Sequence, residues 1–209
     1  MRADPPIQSV ITLDVEGVLT PESWIALANH FGIEELTRTT KDEPDYQLLM
    51  ETRIQIVNDN KLLLHDIQKV ITTLAPLEGA KDFLDELRAQ FPVILLSDTF
   101  EDFIGPLMHQ LGNPLILCHK LSLSSSGAIV GFTQRTPDQK FESVRMFQGL
   151  NYKVIAAGDS YNDLSMIDQA DAGFLFRAPD NVQSERNDLE AYDGYDDLLD
   201  AIRLAASGF

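Results

Sequence analysis

The chain has 209 residues, 44% of them hydrophobic and 23% charged, enough for one α/β domain with an insertion or two small domains sharing a cleft. Its formal net charge of −17 argues against nucleic acid and against an anionic membrane as partners, because approaching either costs electrostatic work over most of the surface. The single cysteine, Cys118, cannot form an internal disulfide and lies in an apolar run, where it reads as a small core residue.

The opening MRADPPIQ lacks the apolar stretch of a signal peptide, and no segment approaches the ~20 apolar residues of a spanning helix, so the expected compartment is the cytoplasm. A first buried strand is predicted over 10–13, ending at Asp14. Thr20 reads as the N-cap of the next helix, with Pro21 at its first position, Glu22 in its first turn and Gly32 closing it. Further helices are predicted over 44–58 and 65–74, ending before Pro76, and another over 79–91. A second strand over 93–96 ends at Ser97–Asp98, and SLSSSG at 122–127 reads as a hairpin turn between 121–123 and 129–132. A helix over 137–150 leads to a third strand over 154–157, ending at Gly158–Asp159, and the acidic run 193–197 introduces a C-terminal helix.

Strand–helix alternation of this kind predicts an α/β fold, a doubly wound parallel sheet with a Rossmann-like core. The helical stretch after the first strand interrupts it. The expected division is therefore a core of residues 1–19 and 77–209, with a helical cap, 20–76, over the carboxyl ends of the strands, where open α/β sheets bind ligands.

The chemistry-bearing residues gather at those ends. Asp14 and Glu16 share a direction if the backbone is extended, Ser97 ends the second strand, Lys140 opens the helix before the third, and Asp159 and Asp163 follow it. Carboxylates gathered in one cleft repel each other unless a divalent cation sits among them, and oxygen ligands suit Mg²⁺. Singly, each residue has a plainer reading: a turn aspartate, a solvated lysine, a loop-holding carboxylate. In the helix over 44–58, Tyr46, Leu49, Met50 and Val57 share one face with Arg53 in its middle. Arg53 reads as a snorkelling side chain, an internal ion pair, or a carboxylate-binding fork aimed at the cleft. Glu22 suits the helix dipole or, paired with Arg53, the ammonium of a zwitterionic ligand. The four histidines show no metal-ligand spacing and read as structural or solvated.

The order of these motifs resembles the haloacid dehalogenase-like hydrolases: Asp14-Val15-Glu16-Gly17-Val18, then 93–97, then Lys140, then Gly158-Asp159-Ser160-Tyr161-Asn162-Asp163. The resemblance implies that Asp14 forms an aspartyl phosphate, that Glu16 is the acid and base, and that Ser97 and Lys140 hold phosphoryl oxygens. It also implies that Asp14, Asp159 and the main-chain carbonyl of Glu16 bind Mg²⁺, with Asp163 close behind. Within the superfamily the chain is similar to the phosphoserine phosphatase branch, particularly the bifunctional phosphoserine phosphatase / phosphoserine:homoserine phosphotransferase type. Pro21–Glu22, Pro44–Asp45–Tyr46, Ser97–Asp98–Thr99 and residues 156–163 carry that similarity. It implies L-phosphoserine as substrate, homoserine as a possible second acceptor, and a cap supplying Glu22 and Arg53. Asp98, Asn162 and Arg135 become candidate phosphate or substrate contacts or their support, and a homodimer is compatible.

Two positions depart from the superfamily pattern: Glu16 stands where aspartate is usual, and Val18 where threonine or serine is usual. The longer acid changes the carboxyl's position relative to the acceptor, and water activation is expected to be less favourable than attack by an alcohol. A phosphatase for another small metabolite, such as phosphocholine or a sugar phosphate, and a receiver-like phosphoacceptor domain are the competing readings.

Overall fold

The computed structural model describes residues 8–39, 43 and 45–209. The N-terminal octapeptide expectation therefore falls almost wholly outside the described residues, as does Pro44, the expected start of a helix. Seven strands form one sheet in the order β4-β3-β2-β1-β5-β6-β7. They are β1 (Gln8–Leu13), β2 (Val93–Phe100), β3 (Ile116–Leu123), β4 (Ile129–Thr133), β5 (Tyr152–Gly158), β6 (Ala172–Phe176) and β7 (Glu190–Tyr192). Every neighbouring pair is parallel except the β3–β4 hairpin. The chain builds outward from β1 on one side through β2 and β3, then crosses to β5 on the other. The strand order thus reverses beside β1, and the crevice at such a switch point is the natural ligand site.

The apolar runs are continuous because both faces of the sheet are covered. Successive residues serve alternate faces. Val10, Val154 and Ala156 pack in one cluster with Val144, Met166, Ile167 and Val182, from α6 (Gln139–Gly149), α7 (Leu164–Gln169) and α8 (Asp180–Glu185). Ile11, Leu13, Ile155 and Ala157 pack in the other. That larger cluster takes in α4 (Ala80–Gln90), α5 (Glu101–Gln110) and α9 (Tyr195–Ser207), and continues into α1 (Ser23–Phe31), α2 (Tyr46–Asp59) and α3 (Leu64–Thr72). Among the described residues no helix is long and apolar enough to cross a membrane.

Several expected boundaries shift. Helix α1 starts at Ser23 with Glu22 as its N-cap in extended conformation. Thr20 is not the cap, because the turn after β1 consumes it: its N–H donates to Val15 O, its carbonyl accepts from Gly17 N, and it bridges to Glu16. Gly32 does close the helix, in the left-handed conformation at φ 67° that favours glycine. Strand β2 runs through Ser97 to Phe100 instead of ending there, with a register shift against β3 between Leu96 and Phe100. Such irregularities re-aim side chains and occur beside sites. Helix α2 is capped by Asp45, whose side chain accepts from Leu48 N, and helix α6 by Asp138, which accepts from Phe141 N.

Candidate active site

Asp14 follows β1 immediately, tied to β5 by its N–H to Ala157 O at 3.0 Å. Helix α6 then delivers Lys140, 2% exposed, whose Nζ lies 2.9 Å from Asp14 Oδ1 and 2.6 Å from Asp163 Oδ1. Asp163 is fully buried and also accepts from the N–H groups of Asp159 and Ser160 at 2.9 and 3.0 Å. Asp14, Asp159 and Asp163 each present an oxygen within 4.8 Å of the others. Two glycines make the approach possible. A Cβ on Gly17, at φ 83°, would lie 2.5 Å from Asp159 Oδ2, and one on Gly158 would lie 2.3 Å from Asp163 Cγ.

This crowding has electrostatic consequences. Burial, followed by the Asp163 carboxylate, pushes Asp14 well above the usual carboxylate range. Burial works against the charge of Lys140 too, yet Asp14, Asp163 and Asp98 together hold it well above its ordinary value. A cluster with three carboxylates and one buried ammonium retains excess negative charge. Its donors are all oxygen, so the residues fit a hard divalent cation and offer nothing suited to a soft metal. The Glu16 carboxylate stands apart from that cluster: its Oε1 accepts from Ser23 N at 2.9 Å, and burial raises its pKa despite that hydrogen bond.

Ser97, 1% exposed, accepts from Thr99 N through its Oγ at 3.3 Å, which leaves its O–H to donate elsewhere. Asp98 Oδ2 accepts from Asn162 Nδ2 at 3.0 Å and lies 3.7 Å from Lys140 Nζ. His119 Nε2 stands 3.3 Å from Asp98 Oδ1, and Tyr46 donates its hydroxyl to the Asp98 carbonyl at 2.7 Å. Burial would raise Asp98, but Lys140, then His119 and Asn162, outweigh it and hold the carboxyl below its ordinary range.

These groups open onto a cavity of about 110 Å³ lined by Asp14, Glu16, Glu22, Trp24, Thr39, Tyr46, Leu49, Arg53, Ser97, Asp98, Asp159, Ser160 and Asn162. Glu22 and Arg53 enter it from α1 and α2. Burial first, then the Glu16 and Asp159 carboxylates, push Glu22 up to about 7. Arg53 is 8% exposed, and its Nη2 donates to Arg38 O at 2.7 Å. Of the residues singled out in the sequence, Arg135 alone is drawn elsewhere. It donates to Cys118 O at 2.6 Å and to Glu101 at 2.7 Å on a half-exposed surface, so it supports the β3 edge and does not line the cavity.

Sequence reasoning missed Trp24, Thr39, Leu49 and Ser160 as lining residues, and Tyr46 as a clamp on Asp98. Tyr46 and Leu49 carried a signal, since both lie on the stripe that contains Arg53. His119 carried none: its place beneath Asp98 follows from the β2–β3 register, in which Phe100 pairs with His119.

The sequence model of the haloacid dehalogenase-like hydrolases matches residues 9–171, which span every motif just described. The chain belongs to this family. Among haloacid dehalogenase-like hydrolases it is 52% identical over 198 residues to phosphoserine phosphatase ThrH of Pseudomonas aeruginosa, covering 95% of this chain and 97% of that protein. It is 51% identical over 189 residues to a phosphoserine phosphatase of Pseudomonas syringae pv. tomato, covering 90% and 80% of the two chains. Two solved structures share the fold: a substrate-bound phosphoserine phosphatase (TM-score 0.76, 18% identity, 91% and 95% coverage) and a phospho-aspartyl intermediate analogue of phosphoserine phosphatase (TM-score 0.74, 16% identity, 90% and 93% coverage).

Proposed function

We propose that this hydrolase is a Mg²⁺-dependent phosphoserine phosphatase working through an aspartyl phosphate at Asp14, and that it also passes the phosphoryl group to homoserine. The observation that carries the proposal is the cavity itself. Asp14, with Lys140 on one oxygen, faces the same space as an acid, Glu22, and a base, Arg53, borne by separate helices. Residues 20–76 act in this reading as a cap that reads the amino acid, over a core of 1–19 and 77–209 that does the chemistry. The names of the two Pseudomonas relatives support the substrate.

In the first half-reaction a carboxylate oxygen of Asp14 attacks phosphorus, and the bond from phosphorus to the seryl oxygen breaks. Glu16, kept protonatable by burial and oriented by Ser23 N–H, gives its proton to that oxygen as serine leaves. Ser97 donates its free O–H to a phosphoryl oxygen, and Lys140 offsets charge around Asp14 and Asp163. In the second half, Glu16 takes a proton from water or from the homoserine hydroxyl. That oxygen attacks phosphorus and the bond to Asp14 breaks, giving phosphate or phosphohomoserine. Mg²⁺, held by Asp14, Asp159, Asp163 and the Glu16 main chain, would supply Lewis-acid neutralisation of the phosphoryl charge. Glu22 binds the substrate ammonium and Arg53 its carboxylate, with Asp98 and Asn162 walling the phosphate side.

The test follows phosphoserine consumption with Mg²⁺, with and without homoserine, measuring inorganic phosphate and phosphohomoserine separately. Both products require Asp14, so Asp14→Asn is expected to abolish both. Full activity after exhaustive chelation, or in Asp14→Asn, would sink the proposal. Phosphate alone as product in saturating homoserine removes the transferase half.

A further inference from the structure

We propose that Trp24 is a specificity-determining positioning residue: its indole face holds the Arg53 guanidinium with no carboxylate hydrogen-bonded to it among the described residues, leaving N–H groups for a ligand carboxylate. The proposal deepens, and rests on, the reading of the cavity as an amino-acid phosphate site.

Arg53 Cζ lies 4.8 Å from the Trp24 ring centroid. Its hydrogen-bond partners among the described residues are neutral: Arg38 O at 2.7 Å from Nη2 and Met50 Sδ at 3.7 Å from Nη1. Its Nε is buried with no hydrogen-bond partner among the described residues. A buried cation in this state needs something to hold it. A carboxylate salt-bridged to it would do so, but would occupy the planar fork that a ligand carboxylate must use. The indole attracts the cation through its quadrupole and takes none of its N–H groups. Trp24 is itself fixed, 4% exposed, with its ring edge-on to Phe103 at 6.4 Å and 90°. It is also the second residue of α1, whose N-cap is Glu22. One helix start thus carries one of the cavity's carboxylates, Glu22, and the surface that seats Arg53. An anion and a cation facing one cavity suit a ligand that bears its ammonium and its carboxylate on one carbon.

The test compares L-phosphoserine with phosphoethanolamine, which keeps the phosphate and ammonium but lacks the carboxylate, in the full chain with Mg²⁺. Trp24→Leu is expected to raise KM for phosphoserine about tenfold with kcat within about twofold, and to change phosphoethanolamine turnover several-fold less. Trp24→Phe, which keeps an aromatic face, is expected to recover most of the loss. Equal losses on both substrates, or a phenylalanine variant as weak as the leucine one, overturn the proposal. A second readout needs no substrate: the Arg53 Nε–H resonance, assigned by its disappearance in Arg53→Lys. An indole ring-current shift in wild type that vanishes in Trp24→Leu supports the clamp, and an identical resonance in both overturns it. If Trp24→Leu fails to fold, Trp24→Phe decides, since an unmoved resonance there overturns the clamp. Wild type that turns over both substrates equally removes the phosphoserine reading and the specificity role with it, while the resonance still judges the contact.

Discussion

Replacing Lys140 with methionine keeps most of the side chain's length and removes the lysine cation buried among Asp14, Asp98 and Asp163. In the intact protein its Nζ sits 2.6 Å from Asp163, 2.9 Å from Asp14 and 3.7 Å from Asp98, with the lysine side chain only 3% exposed. Removing one member of a buried ionic group strands the others, and such losses run to about 3–5 kcal/mol. In a chain of this length each kcal/mol moves the melting point by about 2–4 °C, so Lys140→Met is expected to melt ~6–20 °C lower at pH 7 without metal. The sign of the pH dependence follows from the same geometry. Asp14 is already raised by burial and by Asp163, and losing the lysine raises it further. Folded-state carboxyl groups with raised pKa cost stability when ionised. The deficit is therefore largest above the raised folded-state value of Asp14 and shrinks as pH falls through that value toward the ordinary 3.8. Adding Asp163→Asn to the variant removes a stranded charge and is expected to return part of the loss. Urea and thermal unfolding over a pH series measure all three chains. A deficit below about 1 kcal/mol, which is the scale of an exposed ion pair, refutes the account of a buried ionic cluster. So does a deficit that stays constant with pH.

Glu22 sits near a pKa of about 7, raised first by burial and then by Glu16 and Asp159. An ammonium ligand needs its ionised form, so KM for phosphoserine is expected to rise as pH falls below 7, by up to about tenfold per unit. Glu22→Gln should raise KM and flatten that limb, and a variant profile parallel to wild type would refute the assignment. The same raised pKa makes ionised Glu22 a cost to folding that is absent below about 4.5 and grows as pH rises through 7. Gly158→Ala drives a Cβ to 2.3 Å from Asp163 Cγ, and Asp163 is pinned by two backbone N–H groups and Lys140. Overpacking of this kind costs about 1–3 kcal/mol, and the displaced carboxylate is expected to lower both kcat and Mg²⁺ affinity. A variant with wild-type urea midpoint and Mg²⁺ dependence would show that Asp163 moves freely.

The central strands were legible because both faces are covered, so β1, β2 and β5 read as unbroken apolar runs ending at Asp14, Ser97–Asp98 and Asp159. Their ends were less so. Ser97 and Asp98 lie within β2, and the register shift there depends on β3, distant in sequence. Strands β6 and β7 were not foreseen: β7 has three residues, and β6 has five and follows the six-residue helix α7. Helix starts depend on local competition as much as on capping chemistry, as Thr20 shows. It has the residue type and the following proline of an N-cap, but the turn that brings Glu16 back toward α1 uses its backbone instead.

The same distinction separates the legible part of the site from the rest. Asp14, Lys140, Asp159 and Asp163 were legible because each sits at or near a strand end, or at a helix start, that periodicity alone locates. Trp24 and His119 were not, because an aromatic on an amphipathic helix and a histidine in a strand are ordinary core residues until the partner is known. In each case the partner is charged and remote: Arg53 for Trp24, 29 positions on, and Asp98 for His119, across a strand pair. A chain of net charge −17 that presents Asp14, Glu16, Glu22, Asp98 and Asp159 to one small cavity must control each neighbouring cation closely. Lys140 is held by carboxylates, and its charge is spent on reducing their repulsion. Arg53 is held by an aromatic face and a carbonyl oxygen, with Glu16 and Glu22 near enough to act on its charge but not hydrogen-bonded to it. Two buried cations with opposite kinds of support let an acidic protein attract a ligand whose own net charge is negative.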